Sequence, residues 1–530
     1  MTMTHDHPSD RPEGEATVPA PAARGSIGVL KAGALSMLAL VAVGLTRLVH
    51  GSLVSHATDH ETYGLVGTML ATTMIASLVL PGGVSSAYSK FVAFHRGAGD
   101  PAAAWAVHRF LGRLGLVSSV VLGAGAAWAA AELYDLRPAD ALAVALLTAA
   151  YSLYTVDKAA MYGHGLVPQY ARLELCTSGL AVAGTIVIVV TGATQYLLPL
   201  AIGYLAFVVL ARVQLRRHRR NSHTGGTGPF DRRQVVVFTI LGSIGTLASA
   251  GFLQATQLLA DRFAEPDEVA HFVAAVALVA PLYFLPRAMA LALFPAMAGA
   301  QGAGDHAAIR RQVDLSTRGL AALLTPVFVV GLLAAPLILT IFGGSGYARG
   351  AGVLRLMLCA CFFGVLQVPA VNVLASGTPR QTRVPVASAV TGCLVGLGVV
   401  AVLGGPYGAT GVGIGYLVGT CVTALIPLSA VWRIHRMSWF GPLAKSIAAV
   451  AVTGVLTTLP VLQSTLWGPV AAAVGAVLAG VLFLGEIKGL VAQVRSGARR
   501  SGPAAVIPAQ RQRAGIVSHR APSSRRIRRD

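Results

Sequence analysis

Apolar residues run through the chain in long blocks, broken by short polar or Gly/Pro-bearing stretches. A helix that crosses a bilayer needs about 20 such residues. Cutting at the interruptions predicts fourteen helices, over 28–50, 63–89, 106–131, 139–161, 170–191, 194–214, 235–260, 268–298, 317–341, 350–376, 384–404, 409–432, 442–461 and 467–489. The fold class that follows is an all-α polytopic membrane protein.

Charged residues sort themselves between alternate connections, and this fixes the direction in which each helix runs. With the amino terminus inside, the even-numbered connections hold Lys90, Arg96, Lys158, Arg172, the basic run from Arg212 to Arg233, Arg310, Arg311, Arg380, Arg383, Arg433, Arg436 and Lys445. The odd-numbered ones hold Arg137, Arg262 and Arg349 beside the acids Asp59, Glu61, Glu132, Asp135, Asp140, Asp261, Glu265, Asp267 and Glu268. Cations collect on the cytoplasmic side of membrane proteins, so both ends are expected there. Dropping one helix would invert every later connection. All outer connections are short, which leaves no room for an extramembrane catalytic domain and predicts a protein that is not an enzyme.

The pattern repeats. Residues 63–100 shifted by 205 positions fall on 268–305 without a gap, which places Pro81 on Pro286 and Gly97-Ala-Gly-Asp100 on Gly302-Ala-Gly-Asp305. Ile202-Gly-Tyr-Leu205 likewise meets Ile414-Gly-Tyr-Leu417. Spans 1–6 and 7–12 are therefore expected to be two lobes of equal orientation, related by an axis along the membrane normal. The expected organisation is a tail over 1–25, an N-lobe over 26–214, a basic linker over 215–234, a C-lobe over 235–435, two extra helices over 436–490 and a second tail over 491–530.

Composition agrees with a membrane protein: 55% of residues are hydrophobic and 12% charged. The net charge of +20, from 41 Lys and Arg against 21 Asp and Glu, sits largely in the linker and the last tail. That tail, with Arg495, Arg499, Arg500, Arg511, Arg513 and a cluster from Arg525 to Arg529, is expected to adhere to anionic lipid of the inner leaflet. It lacks the interleaved aromatics of a nucleic-acid binder. The first tail has no apolar core and no cleavage site, so it does not read as a signal peptide. Each of the five cysteines lies in an apolar span, where it serves as a small hydrophobe.

Span 8 breaks the apolar rule most sharply, with Pro281, Pro286 and then Arg287. Proline frees backbone carbonyls, and an arginine at bilayer depth costs several kcal/mol unless it faces a wet cavity, an anion or a partner. A bent helix with a buried cation is a binding-site hypothesis, against which stands a structural partner from another helix. Pro81 shares the bend, whereas the position equivalent to Arg287 is Gly82.

Tyr63-Gly-Leu-Val, Leu293-Phe-Pro-Ala-Met297, the run from Ala335-Pro-Leu-Ile to Gly344, Asn372-Val-Leu-Ala-Ser-Gly377 and Pro406-Tyr-Gly-Ala-Thr-Gly-Val-Gly413 carry a resemblance. Over residues 25–435 the chain resembles the multidrug/oligosaccharidyl-lipid/polysaccharide (MOP) exporter superfamily, most closely its polysaccharide-transporter branch of lipid-linked oligosaccharide flippases. The resemblance implies two six-helix lobes in a V around a central cavity, moved by alternating access. It implies a polyprenyl-diphosphate-linked oligosaccharide as substrate, with a polysaccharide polymerase and glycosyltransferases as partners. No cofactor is expected beyond H+ or Na+ coupling.

A flipped diphosphate needs positive charge in the cavity, and arginine suits it because its planar donors make bidentate bonds. Arg47, Arg287 and Arg355 qualify by depth, and the first two fall on helices whose cavity arginines matter in related peptidoglycan-precursor flippases. Snorkelling to outer headgroups is the other reading of Arg47, and a shallow position that of Arg355. Glu174 and Asp157 are the candidates for ion coupling, or else partners of Arg172 and Lys158. Span 1 carries no acid, which weighs against the cation-coupled drug exporters of the superfamily. The group His50, His56, Asp59, His60 and Glu61 is either a metal site or a solvated loop. A membrane glycosyltransferase is disfavoured, since there is neither a long outer loop nor an Asp-Asp pair.

Overall fold

The computed structural model describes residues 26–221, 228–283, 305–376, 379–437, 439–460, 467–486 and 488. Pro286, Arg287 and both tails lie outside them. The described residues are helical, with no strand. In chain order the helices are α1 (Ser26–Ala57), α2 (His60–Val79), α3 (Pro81–Ala87), α4 (Ala93–Gly97), α5 (Pro101–Tyr134), α6 (Pro138–Gly163), α7 (Val167–Thr191) and α8 (Leu198–Asn221). The second half holds α9 (Arg232–Thr246), α10 (Phe252–Phe263), α11 (Pro266–Val279), α12 (His306–Leu333), α13 (Ala335–Gly343), α14 (Ala351–Leu366), α15 (Val368–Ser376) and α16 (Pro379–His435). After these come α17 (Phe440–Leu456) and α18 (Trp467–Leu482).

Ten of the described helices are long and apolar enough to cross a membrane, and α17 and α18 are shorter apolar ones. Spans 11 and 12 of the sequence appear as the single long α16, interrupted at Gly408, whose φ of 52° is left-handed backbone that glycine tolerates. Only the first part of span 8, α11 and the 3-10 turn Ala280–Tyr283 bearing Pro281, is described.

The sequence repeat has a local physical cause. Asp100 caps α5 by accepting from the Ala103 amide at 2.8 Å, and Asp305 caps α12 by accepting from the Ala308 amide at 2.8 Å. A short acid at the N-cap satisfies one of the orphan amides of a first helical turn. Asp59 does the same for α2, accepting from the Thr62 amide at 2.7 Å, and hydrogen bonding from the Thr62 side chain and amide holds its carboxyl below the usual carboxylate range. Pro81 opens α3, so span 2 breaks between Val79 and Pro81, while its repeat counterpart Pro286 lies outside the described residues. π-helical turns at Tyr88–Val92 and Leu247–Gly251 interrupt spans 2 and 7.

The two halves meet along α2 and α3 on one side and α9, α10 and α11 on the other. Glycine makes this approach possible: a Cβ at Gly83 would collide with the Thr239 carbonyl and the Ser243 hydroxyl of α9, and one at Gly67 with Val273 of α11. Such small-residue contacts drive helix association where lipid gives no hydrophobic force. The end of the seam that carries Asp59 and Asp267 is called here the acidic face, and the opposite end the basic face.

At the acidic face the halves are tied by polar contacts. Ser52 and Ser55 donate to the Phe342 carbonyl at 2.7 and 3.0 Å. His60 Nδ1 lies 2.8 Å from Asp267 Oδ1. Deeper in, Thr68 donates to Asp261 at 3.3 Å and Gln257 Nε2 to the Gly67 carbonyl at 2.6 Å.

His164, in the connection after α6 on the basic face, stacks on Trp105 with ring centroids 4.2 Å apart and lies 3.3 Å from His108. Burial, with the neighbouring His108, His218 and Arg96, pushes it down to about 3. The unfolded chain takes up this proton near the ordinary value of 6.5, so the contribution to stability is complete above that pH and is lost as pH falls toward 3. The unfolding temperature of the purified protein should therefore fall between pH 7 and pH 5. His164→Phe, which keeps the stacking, should flatten that slope, and an unchanged slope would dissociate His164 from it.

Candidate functional site

Between the two halves lies a cavity of about 100 Å³, bounded by α1, α2 and α8 of the first half and by α10 and α11 of the second. Its polar lining is Arg47, His50, Tyr63, Gln254 and Gln257, and the rest is apolar, including Val54, Leu70, Met74 and Val273. Among the described lining residues Arg47 is the one charged side chain other than histidine, and none is a carboxylate. The cavity therefore presents the Arg47 charge with no carboxylate among its described lining residues, in a water-poor wall where a fixed cation favours an anion far more than it would in bulk water.

Arg47 sits on α1, and tyrosines hold it. Its Nε donates to Tyr204 Oη at 3.1 Å, and its guanidinium lies over the Tyr151 ring with Cζ 4.9 Å from the centroid. A cation over an aromatic face gains about 1–2 kcal/mol when desolvated, and neither ring neutralises it. Nη2 is buried and has no hydrogen-bond partner. Arg47 thus lines the cavity with its side chain held against Tyr204 and Tyr151 of the first half.

One turn further on, His50 is 2% exposed. Its Nδ1 is 2.9 Å from Thr185 Oγ1 on α7, and its Nε2 is buried without a partner.

The structure places the other candidates elsewhere. Arg355 does not line the cavity: its Nε donates to the Leu332 carbonyl at 3.1 Å and its Nη1 to the Thr457 carbonyl at 3.3 Å. It ties α14 to the ends of α12 and α17, where cations complement the helix carbonyls. Asp157, 5% exposed, accepts from Arg212 Nε at 2.9 Å, a partner on α8 rather than the neighbouring Lys158 or Arg172. Glu174, 2% exposed, accepts from Tyr154 Oη at 3.0 Å, and Lys158 Nζ donates to the same hydroxyl at 3.3 Å. Tyr154 in turn packs on Tyr204 at 4.8 Å, so Glu174 sits two rings behind Arg47 and outside the cavity. Arg287 and Pro286 fall outside the described residues. Of the histidine and acid group near Asp59, His50 faces the cavity, whereas His56, Asp59, His60 and Glu61 line an open pocket at the acidic face, where His56 Nδ1 lies 2.9 Å from the Ser52 carbonyl and His60 pairs with Asp267.

No protein-family model and no curated protein matches the sequence. Solved structures do match. An inward-facing multidrug-resistance MATE transporter of the MOP superfamily aligns with a TM-score of 0.62 at 15% identity, covering 74% of this chain and 94% of that one. The lipid II flippase MurJ in an inward closed conformation aligns with a TM-score of 0.58 at 12% identity, covering 87% of this chain and 100% of that one. The chain shares the fold of these two solved transporters. A MOP transporter from Pyrococcus furiosus, described as having a binding pocket of reversed polarity that suggests a different function, aligns at 0.55 and 15% identity, covering 78% of this chain and 95% of that one.

Tyr151, Tyr204, Gln254 and Gln257 were not singled out as site residues from the sequence, and His50 was weighed there only within a metal-binding group. His50 carried a usable signal, since it follows Arg47 by three positions on a helix and so shares its face. The tyrosines and glutamines carried none, because α6, α8 and α10 reach the cavity only through tertiary packing.

Proposed function

We propose that this chain is a non-enzymatic MOP transporter that carries a polyprenyl-diphosphate-linked oligosaccharide from the inner to the outer leaflet of a bacterial cytoplasmic membrane. The observation that supports this best is the inter-lobe cavity in which Arg47 meets no carboxylate. A diphosphate supplies the missing negative charge, and the planar guanidinium can take it through two parallel bonds. At about 100 Å³ the cavity is smaller than a lipid-linked sugar, so loading the sugar requires the halves to part. Both termini face the cytoplasm in this proposal, where the basic tail adheres to anionic lipid and where glycosyltransferases deliver the substrate.

Arg287 is proposed, from the sequence, as a second cation for the same ligand. Cells lacking the protein should accumulate lipid-linked sugar on the inner leaflet, and Arg287→Ala should fail to restore export while still inserting in the membrane. Full complementation by Arg287→Ala would remove that residue from the site.

A second reading, a cation-coupled exporter of amphipathic compounds, is favoured by one feature: the buried Glu174 in its cage of tyrosines, suited to exchange a proton or Na+. Drug hypersensitivity of the deletion strain without accumulated lipid-linked sugar would support it.

A further inference from the structure

We propose that His50 makes the cavity a proton-linked anion site, so that an anionic ligand binds together with one proton taken up on His50 Nε2. The proposal rests on the anion reading given above and deepens it.

Three observations carry it. First, Thr185 donates its hydroxyl hydrogen to the Ala181 carbonyl one turn back, at 2.9 Å. With that hydrogen committed, its oxygen is left to accept, and we assign the ring hydrogen to His50 Nδ1, 2.9 Å away. In neutral histidine the other nitrogen is a bare acceptor. Second, that bare Nε2 is buried with no partner, on the same cavity wall as the Arg47 cation. An acceptor facing an anion would repel it, whereas a protonated Nε2 donates to it. Third, Arg47 Nη2 is buried and equally unpartnered. Spaced three residues apart on α1, the two groups offer one permanent and one conditional donor to the same ligand.

The surroundings leave this proton to the ligand. On α1 the neighbouring charge is Arg47; α7 presents Thr185, which does not titrate; α2 presents Tyr63. From α10 come the neutral Gln254 and Gln257, and the lining residues of α8 and α11 are apolar. Among these described residues no carboxylate stabilises a protonated His50, so the empty site favours the neutral ring and an anion favours the charged one. A proton from solvent adds to the Nε2 lone pair as the anion enters, and it leaves when the anion does. An ion-coupled cycle then needs no acid in the cavity.

The test is calorimetric titration of the purified full-length chain with farnesyl diphosphate, in buffers of different ionisation enthalpy, which counts protons taken up. The probe's own phosphates also titrate, so the informative quantity is the difference between wild type and His50→Asn. Asparagine keeps a donor at the Nδ1 position, preserves the Thr185 bond and removes the titrating nitrogen. Wild type should take up as much as one more proton than His50→Asn, and its affinity should fall more steeply with rising pH, by up to about tenfold more per pH unit where that uptake is complete. Thr185→Val, which frees the ring to change tautomer, should weaken this linkage while leaving the protein folded. Equal proton uptake by wild type and His50→Asn would overturn the role of His50 while the anion site stands, provided Arg47→Ala loses binding. Failure of wild type to bind the diphosphate would overturn both.

Discussion

Arg47→Ala should reduce lipid-linked sugar transport to background while leaving the protein in the membrane at normal amount. Removing one partner of a desolvated charge pair costs about 2–5 kcal/mol, which is roughly 30- to 5,000-fold in affinity. The cost falls on the ligand and spares the fold, because Arg47 has no carboxylate partner in the protein to leave behind among the described residues. Arg47→Lys should recover only part of the activity, since an ammonium keeps the charge but loses the planar fork and the stacking on Tyr151. Tyr204→Phe removes a hydrogen bond that aims the guanidinium and should cost about 1 kcal/mol, or roughly fivefold. Purified protein titrated with a polyprenyl diphosphate gives all three numbers. Wild-type affinity in Arg47→Ala would place the anion elsewhere.

Locking the acidic face should stop transport as completely as deleting Arg47. His60 and Asp267 belong to different halves and meet at 2.8 Å, and alternating access requires such a contact to break once per cycle. In a background from which the five native cysteines are removed, His60→Cys with Asp267→Cys should be bridged by a short thiol-reactive linker. Bridged protein should lose about tenfold or more of its transport rate, since a covalent tie removes one of the two states. A cleavable linker, once cut, should restore it. Full activity with the bridge in place would mean that the halves do not part there. Each single cysteine variant should remain active, because an exposed pair of this kind contributes about 0–1 kcal/mol.

The features legible in the sequence are those whose cause is local. Helix positions followed from apolar length, the break at Pro81 from proline chemistry, and the paired Gly-Ala-Gly-Asp motifs from a capping requirement that recurs in both halves. Arg47 could be picked out because a cation inside an apolar block is costly wherever it points. What it touches could not. Tyr204 lies 157 positions away, and nothing in either residue's neighbourhood announces the pairing. Arg355 was a cavity candidate with a shallow position as its other reading, and what it bonds to, carbonyls at the ends of α12 and α17, was equally out of sight. Asp157 pairs with Arg212, 55 positions on, whereas nearest-neighbour reasoning favoured Lys158. Lys158 instead donates to the Tyr154 hydroxyl that also serves Glu174. In each case the partner was selected by helix packing, which brings distant turns together at distances that sequence spacing does not encode.

The most direct measurement reconstitutes the purified chain in lipid vesicles with a fluorescent polyprenyl-diphosphate disaccharide and follows the label from one leaflet to the other by its accessibility to an impermeant quencher. Wild-type vesicles should expose the label far faster than protein-free vesicles, and Arg47→Ala vesicles should match the protein-free rate. Wild-type vesicles that move the lipid-linked sugar no faster than protein-free ones, while expelling an amphipathic cationic dye along an ion gradient, would contradict the account.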